Sequence, residues 1–147
     1  MLALACDHVG FELLNDIKRY LDEVSIKFKD FGTYSTERCD YPEYAIPASR
    51  AVADGTCTHG ILICGSGIGM SIAANKVTGI RAALCRDIYS AEMTRKHNDA
   101  NILVMGARLT VLDHPLKIVE TFLNTDFEGG RHSNRLQMIA DLEAGLR

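Results

Sequence analysis

The chain has no apolar run long enough to span a membrane. Its longest stretches, such as Met1–Cys6, are about six residues, against the roughly twenty that a spanning helix needs. The N-terminus does not read as a secretory leader either: no basic residues precede the apolar run, and Asp7 interrupts it early. Excess positive charge is missing too. Lys and Arg number 16 against 19 Asp and Glu, for a net charge of −3, which is not the footprint of a nucleic-acid-binding domain. No CxxC pair occurs, and the five cysteines (Cys6, Cys39, Cys57, Cys64 and Cys85) are odd in number. That argues against a secreted disulfide framework and for a reducing cytoplasm. Proline is scarce, at 3 residues, and there is no internal repeat, low-complexity tract or linker. No HExxH or similar metal-ligand spacing appears, and Cys85 and Asp87 are too isolated to form a site.

What is present is an ordinary globular composition, with 47% apolar and 24% charged residues. A length of 147 residues fits one domain over 1–147, and a chain of that size buries roughly 68–70% of its unfolded surface. Met1–Cys6 reads as a strand buried on both faces. Gly10–Val24 carries Phe11, Leu14, Ile17 and Leu21 at helical spacing. Ile26–Phe31 alternates like a strand nearer an edge. Pro42 to about Asp54 reads as a helix, His59–Cys64 as a buried strand and Ser71–Lys76 as part of a short helix. Ile80–Cys85 and Asn101–Met105 are further strands. Ile88–His97, Pro115–Leu123 and Arg135–Leu146 are further helices. Five alternations of strand and helix predict an α/β fold, a five-stranded parallel sheet with helices on both faces. Ligands bind such sheets beyond the carboxyl ends of the strands. That singles out Asp7–His8 and Cys64–Gly69, which meet if the first and third strands are neighbours.

The segment CGSGIGMS, Cys64–Ser71, places glycines at 65, 67 and 69. Backbone N–H groups there could surround an anion at a helix start. The pattern is neither a Walker loop nor the dinucleotide fingerprint, and a tight strand–helix turn explains it as well. Cys64 precedes the loop, and a helix N-terminus favours a reactive thiol; a buried structural cysteine is the bland alternative, and the one that suits Cys6 and Cys85. Asp7 reads equally as a helix cap and as a site residue. His97–Asn98 ends a helix, where a histidine is favourable without any function. Arg108, Arg131 and Arg135, in a chain of negative net charge, suggest one small anion rather than a polyanion, since the forked guanidinium suits phosphate.

These residues, with the stretches around them, resemble a known family. DHVG at 7–10, DYPEYA at 40–45, GILICGSGIGMSIAANKVTGIRAALC at 60–85, RKHNDANILVMGAR at 95–108 and FEGGRH at 127–132 are together similar to ribose-5-phosphate isomerase type B and its sugar-phosphate isomerase relatives. The resemblance covers nearly the whole chain. It implies a three-layer, Rossmann-like domain that works as a homodimer without a cofactor, interconverting ribose 5-phosphate and ribulose 5-phosphate through an enediolate. By the same resemblance Cys64 is the base and His97 the acid for sugar-ring opening. Asp7 and Ser66 lie near the ring oxygen and hydroxyls. Gly65, Ser66, Gly67, Ile68 and Gly69 form the anion hole, Asn98 contacts a hydroxyl, and His8, Arg108, Arg131 and Arg135 grip the phosphate.

The chain departs from the family at three positions. Ser66 replaces a frequent Thr and keeps the hydroxyl. Val9 stands where a smaller residue is usual. Met70 occupies the place of the Glu base of one branch, which leaves Cys64 as the base. Topology adds an expectation. Cys64 and Asp7 leave carboxyl ends of strands, whereas His97–Asn98 precedes a strand at its amino end, so one site is expected to be shared between two chains, with pairing into tetramers left open. Rival readings are an isomerase of a six-carbon sugar phosphate such as allose 6-phosphate or galactose 6-phosphate, a non-catalytic phosphate- or nucleotide-binding module, and a redox sensor built on Cys64. No nucleic-acid or membrane partner is expected.

Overall fold

A computed structural model of the chain describes residues 1–108 and 113–147. The elements follow in the order β1 (Leu2–Cys6), α1 (Phe11–Glu23), β2 (Phe28–Asp30), α2 (Pro42–Ala53), β3 (His59–Cys64), α3 (Ile68–Ala74), β4 (Ala82–Leu84), α4 (Ile88–Asn98), β5 (Ile102–Gly106), α5 (Pro115–Asn124) and α6 (Arg131–Glu143). The strands form one sheet in the order β2-β1-β3-β5-β4, and each neighbouring pair is parallel. Leu4, Ile61 and Leu103 lie in register across the three central strands. Among the described residues no helix is long and apolar enough to cross a membrane.

Alternation along the strands divides the core into two layers. On one face Leu2, Leu4, Ile61, Ile63, Leu103 and Met105 pack against Leu14, Ile17 and Leu21 of α1 and Ile118, Val119 and Phe122 of α5. On the other, Ala3, Ala5, Leu62, Ile102 and Val104 meet Ala45, Ala48, Ala51 and Val52 of α2 and Met70 and Ala74 of α3. Small side chains on both partners let α2 lie close to the sheet. The two strand-end cysteines fall on opposite faces, Cys6 in the first layer and Cys64 in the second.

The expected α/β architecture is present, with element ends that shift for identifiable reasons. Ile26–Phe31 and Ile80–Cys85 shrink to the three-residue strands β2 and β4. Both are edge strands, so each has a single neighbour to pair with. The short helix to which Ser71–Lys76 was expected to belong runs from Ile68 and ends at Ala74, short of Lys76. Gly67 is its N-cap with φ of 76°, a left-handed conformation that glycine adopts without steric cost. The last helix runs from Arg131 to Glu143 rather than over 135–146, again after a positive-φ glycine, Gly130.

Candidate active site

β1 and β3 are neighbours, so their carboxyl ends bring Asp7, His8 and the Cys64–Gly69 loop together. Asp7 is 7% exposed. Its Oδ1 accepts the N–H groups of Val9 (2.9 Å) and Gly10 (3.0 Å), while its own N–H donates to the Ile63 carbonyl (3.0 Å). The carboxylate therefore braces the turn, and Gly10, not Asp7, is the N-cap of α1. His8 Nδ1 accepts the backbone N–H of Cys39 (3.4 Å) and lies 3.8 Å from the Cys39 thiol. An imidazole accepting at Nδ1 carries its proton on Nε2, a donor suited to an anion.

Cys64 is 4% exposed at the end of β3. The Gly67 N–H donates to its sulfur (3.2 Å), and its carbonyl accepts the Ala107 N–H (2.9 Å). The next carbonyl, Gly65, accepts the N–H of Arg108 (2.9 Å), which keeps exposed Arg108 at this end of the sheet. Ser66 Oγ accepts the Ile68 N–H (3.2 Å). Gly69 faces the ring of Tyr41: a Cβ there would fall 2.6 Å from Tyr41 Cζ. Burial pushes the Cys6 thiol up to about 12 and that of Cys85 up to about 11. Those two are packing groups of the first core layer, Cys6 at the end of β1 and Cys85 just past β4.

The amino end of the sheet carries the remaining candidates. α4 runs back across the sheet and closes on His97 and Asn98. Its C-cap Asp99 has φ of 43°. Two guanidinium groups hold the Asp99 carboxylate, Arg95 at 2.8 Å and Arg81 at 3.2 Å. Arg95 also donates to the carbonyls of Ala100 (2.7 Å) and Thr125 (3.2 Å), and Arg81 Nε donates to the Asn98 carbonyl (3.0 Å). The Glu128 N–H donates to the Lys96 carbonyl (3.1 Å), which ties the approach to α6 onto the last turn of α4. There the rings of His97 and His132 stack with centroids 4.4 Å apart and planes 14° apart. Arg131 and Arg135, one turn apart, are exposed on the start of α6.

The predicted residues thus form two groups. Asp7, His8, Cys64, Gly65, Ser66, Gly67, Ile68, Gly69 and Arg108 gather at the carboxyl end. His97, Asn98, Arg131 and Arg135 gather at the amino end. Between them lies the length of β5, five residues or roughly 16 Å at the usual strand rise. One chain therefore does not bring Arg108 and His8 to Arg131 and Arg135, because the strands hold their two ends apart.

Sequence reasoning passed over Tyr41, Cys39, Glu128 and His132. Tyr41 and His132 lie inside the recognised stretches, but nothing local marked their contacts. His97, Glu128 and His132 each offer a ligating atom, all within 4.8 Å of one another. The two rings are nearly parallel, so their in-plane lone pairs run in separate planes and do not converge on one ion.

The family model described as Ribose/Galactose Isomerase matches residues 2–139. Ribose-5-phosphate isomerase B of Escherichia coli is 48% identical over 142 residues, covering 97% of this chain and 95% of the relative. The solved structure of the Clostridium thermocellum ribose-5-phosphate isomerase B superposes with a TM-score of 0.95 at 45% identity and covers 99% of both chains. Ribose-5-phosphate isomerase B from Mycoplasma genitalium, solved with bound ribulose 5-phosphate, gives a TM-score of 0.91 at 36% identity over 97% of this chain and 95% of that one.

Proposed function

This chain belongs to the ribose/galactose isomerase family and interconverts D-ribose 5-phosphate and D-ribulose 5-phosphate; we propose that it does so through a cis-enediolate, with Cys64 as the base, in a site shared by two copies. The Cys64 thiolate takes the proton from C2 of the open aldose. The electron pair moves into the C1–C2 bond, and the aldehyde oxygen becomes an oxyanion. A proton moves between O1 and O2, and the Cys64 thiol returns its proton to C1, giving the ketose. Carbon 1 is reduced as carbon 2 is oxidised, so electrons balance inside the sugar and the step uses no redox cofactor.

The residues present support these roles. The sulfur faces the Gly67 N–H at the positive end of α3, where negative charge is favoured. Within Gly65–Gly69 the N–H groups of Gly67 and Ile68 are engaged by Cys64 and Ser66, which leaves those of Gly65, Ser66 and Gly69 as the oxyanion donors, and one such donor is worth about 10²–10³ in rate. Met70 is buried apolar bulk and supplies no rival base. His8 and Arg108 grip the phosphate from one copy, and Arg131 and Arg135 from the second. That remote binding energy orients the reacting carbons. His97 of the second copy protonates the furanose ring oxygen as the ring opens, and Asn98 holds a hydroxyl. A cytoplasmic location fits five free cysteines, four of which (Cys6, Cys57, Cys64 and Cys85) are buried in the core layers.

The observation that carries the reading is the division of the candidate residues between opposite ends of one sheet. A two-fold pair of chains joins the carboxyl end of one to the amino end of the other and forms two equal sites. Co-expression of Cys64→Ala with His97→Ala tests it. Random pairing makes half the dimers mixed, each with one intact site of two, so roughly a quarter of wild-type activity returns. A mixture as inactive as its parents would overturn the shared site.

A further inference from the structure

His132 takes no part in the chemistry assigned so far, yet the fold goes to some length to bury it. It is 4% exposed between solvent-facing Arg131 and Ser133. Two positive-φ glycines in succession, Gly129 with φ of 67° and Gly130 with φ of 57°, precede α6, whose second residue, His132, packs against His97 of α4. The Glu128–Lys96 backbone bond fixes the approach. Its Nε2 has no hydrogen-bond partner among the described residues. The Glu128 carboxylate is 3.8 Å away, beyond hydrogen-bond reach. Leaving a buried polar atom unpaired is costly, and a plain apolar side chain would fill the space without that cost. What the ring does contact is His97, face to face.

We propose that His132 is a positioning residue for the isomerisation: its buried ring is the platform on which the His97 imidazole is stacked, so that His97 presents its proton to the sugar ring oxygen at a fixed angle. This rests on the reading of His97 as the ring-opening acid. The charged groups that act on His132 are Arg131, Arg135 and Glu128, from α6 and its approach, and its ring lies against His97 of α4. Burial first, then Arg131, His97 and Arg135, push the His132 imidazole below its ordinary range, against the pull of Glu128. A lowered proton affinity suits a ring stacked beneath a proton donor, since two stacked imidazolium ions would repel. His97 sits in the last turn of α4, where positive charge is favoured.

The substrates themselves separate positioning from support of the fold. Ribose 5-phosphate is a furanose that must open. Ribulose 5-phosphate has its O5 blocked by phosphate, has no hydroxyl placed to close a five-membered ring on C2, and is acyclic. A defect in ring opening therefore slows the reaction from ribose 5-phosphate, while from ribulose 5-phosphate the enzyme still forms and releases the open aldehyde, which closes in solution. A defect in folding or in the phosphate grip slows both.

The test measures kcat and KM in both directions for His132→Ala, His132→Phe, His97→Ala and the double variant His97→Ala with His132→Ala, with thermal melts to confirm folding. His132→Ala is expected to lower kcat from ribose 5-phosphate about 10-fold, in line with small misplacements of a reacting group, with KM nearly unchanged and the ribulose direction nearly intact. His132→Phe, which keeps a flat ring in the same space, should restore most of the lost kcat. Within the His97→Ala background His132→Ala should cost nothing further. Equal losses in both directions, a rise in KM alone, failure of Phe to rescue, or additive losses would each overturn the proposal. If His97→Ala turns over ribose 5-phosphate normally, the assignment of His97 falls and the platform with it. If His97→Ala is crippled and His132→Ala is not, the platform alone falls.

Discussion

At the carboxyl end of the sheet, side chains are held by the main chain. Asp7 is fixed by two backbone N–H groups, Cys64 by one and Ser66 by one. At the amino end, side chains are held by other side chains as well as by main-chain carbonyls. Two guanidinium groups clamp Asp99, and two imidazole rings stack. The contrast follows from what each end has to do in the proposed reaction. A base and an oxyanion need fixed geometry, and a turn of glycines supplies it with few movable parts. A proton donor offered to another chain must be held from within its own fold, here by a stacked ring from α6. The carboxyl end should accordingly be sensitive to backbone changes, and the amino end to charge and pH.

The sharpest test sets one cysteine against the others. Cys64→Ala is expected to lower turnover by about 10²–10⁴-fold, the range for loss of a general base, whereas Cys6→Ala and Cys85→Ala should alter stability and leave kcat within a few-fold of wild type by order of magnitude. Steady-state kinetics read the difference. Iodoacetamide should label Cys64 ahead of Cys6 and Cys85, whose thiols burial holds at about 12 and about 11, and substrate should slow the labelling. A preparation inactivated by alkylation of Cys6 alone would break the contrast.

A backbone change comes next. At Gly67 an added Cβ would lie 2.4 Å from Leu84 Cδ1 and 3.0 Å from the Met105 carbonyl carbon, at φ of 76°. Gly67→Ala should therefore cost about 2–4 kcal/mol of stability from overpacking and left-handed strain together, read as a lower urea midpoint. At Gly79, also at positive φ but with nothing within 4 Å, Ala should cost only about 1–2 kcal/mol. Equal losses at the two positions would show that the loop is less tightly packed than its contacts imply.

The smallest effect concerns pH at the amino end. Burial, then Arg95, holds the half-buried His59 imidazole below its ordinary range, as burial does for His132. The folded chain therefore binds protons less readily than the unfolded chain. The stability that comes from keeping these rings neutral is full above about pH 6.5, the ordinary histidine value, and is lost as pH falls toward their folded values. Denaturant midpoints should drop between pH 7 and pH 5, and His59→Phe should flatten that slope. A flat profile in the parent chain would dissolve the distinction between the two ends.

Much of this architecture was visible in the sequence, because continuous apolar runs and helical spacing are local signals. Met1–Cys6 and His59–Cys64 read as buried strands, and their adjacency placed Asp7 beside Cys64. The edge strands were overextended in that reading, since pairing partners, not side chains, decide where Phe28–Asp30 and Ala82–Leu84 stop. The start of α6 was placed too late because Gly130 takes positive φ, and a bare glycine in sequence does not announce its dihedral angle. Tyr41 over Gly69 and His132 under His97 were hidden altogether. Both contacts join segments far apart in the chain, and a lone aromatic or histidine carries no mark of what it will touch.

The sheet order also governs how a newborn polypeptide can assemble. β1, β2 and β3 are neighbours and can pair while the ribosome is still at work. β4 is made before β5, yet its neighbour in the sheet is β5, which enters between β3 and β4. Until Ile102–Gly106 emerge, one side of β3 and the whole of Ala82–Leu84 wait with open backbone groups, the condition under which strands pair with the wrong chain. Five residues then close both edges at once. Any delay before Ile102–Gly106 have left the ribosome thus prolongs the state in which this chain is most exposed to aggregation, and a delay after they have emerged is comparatively harmless.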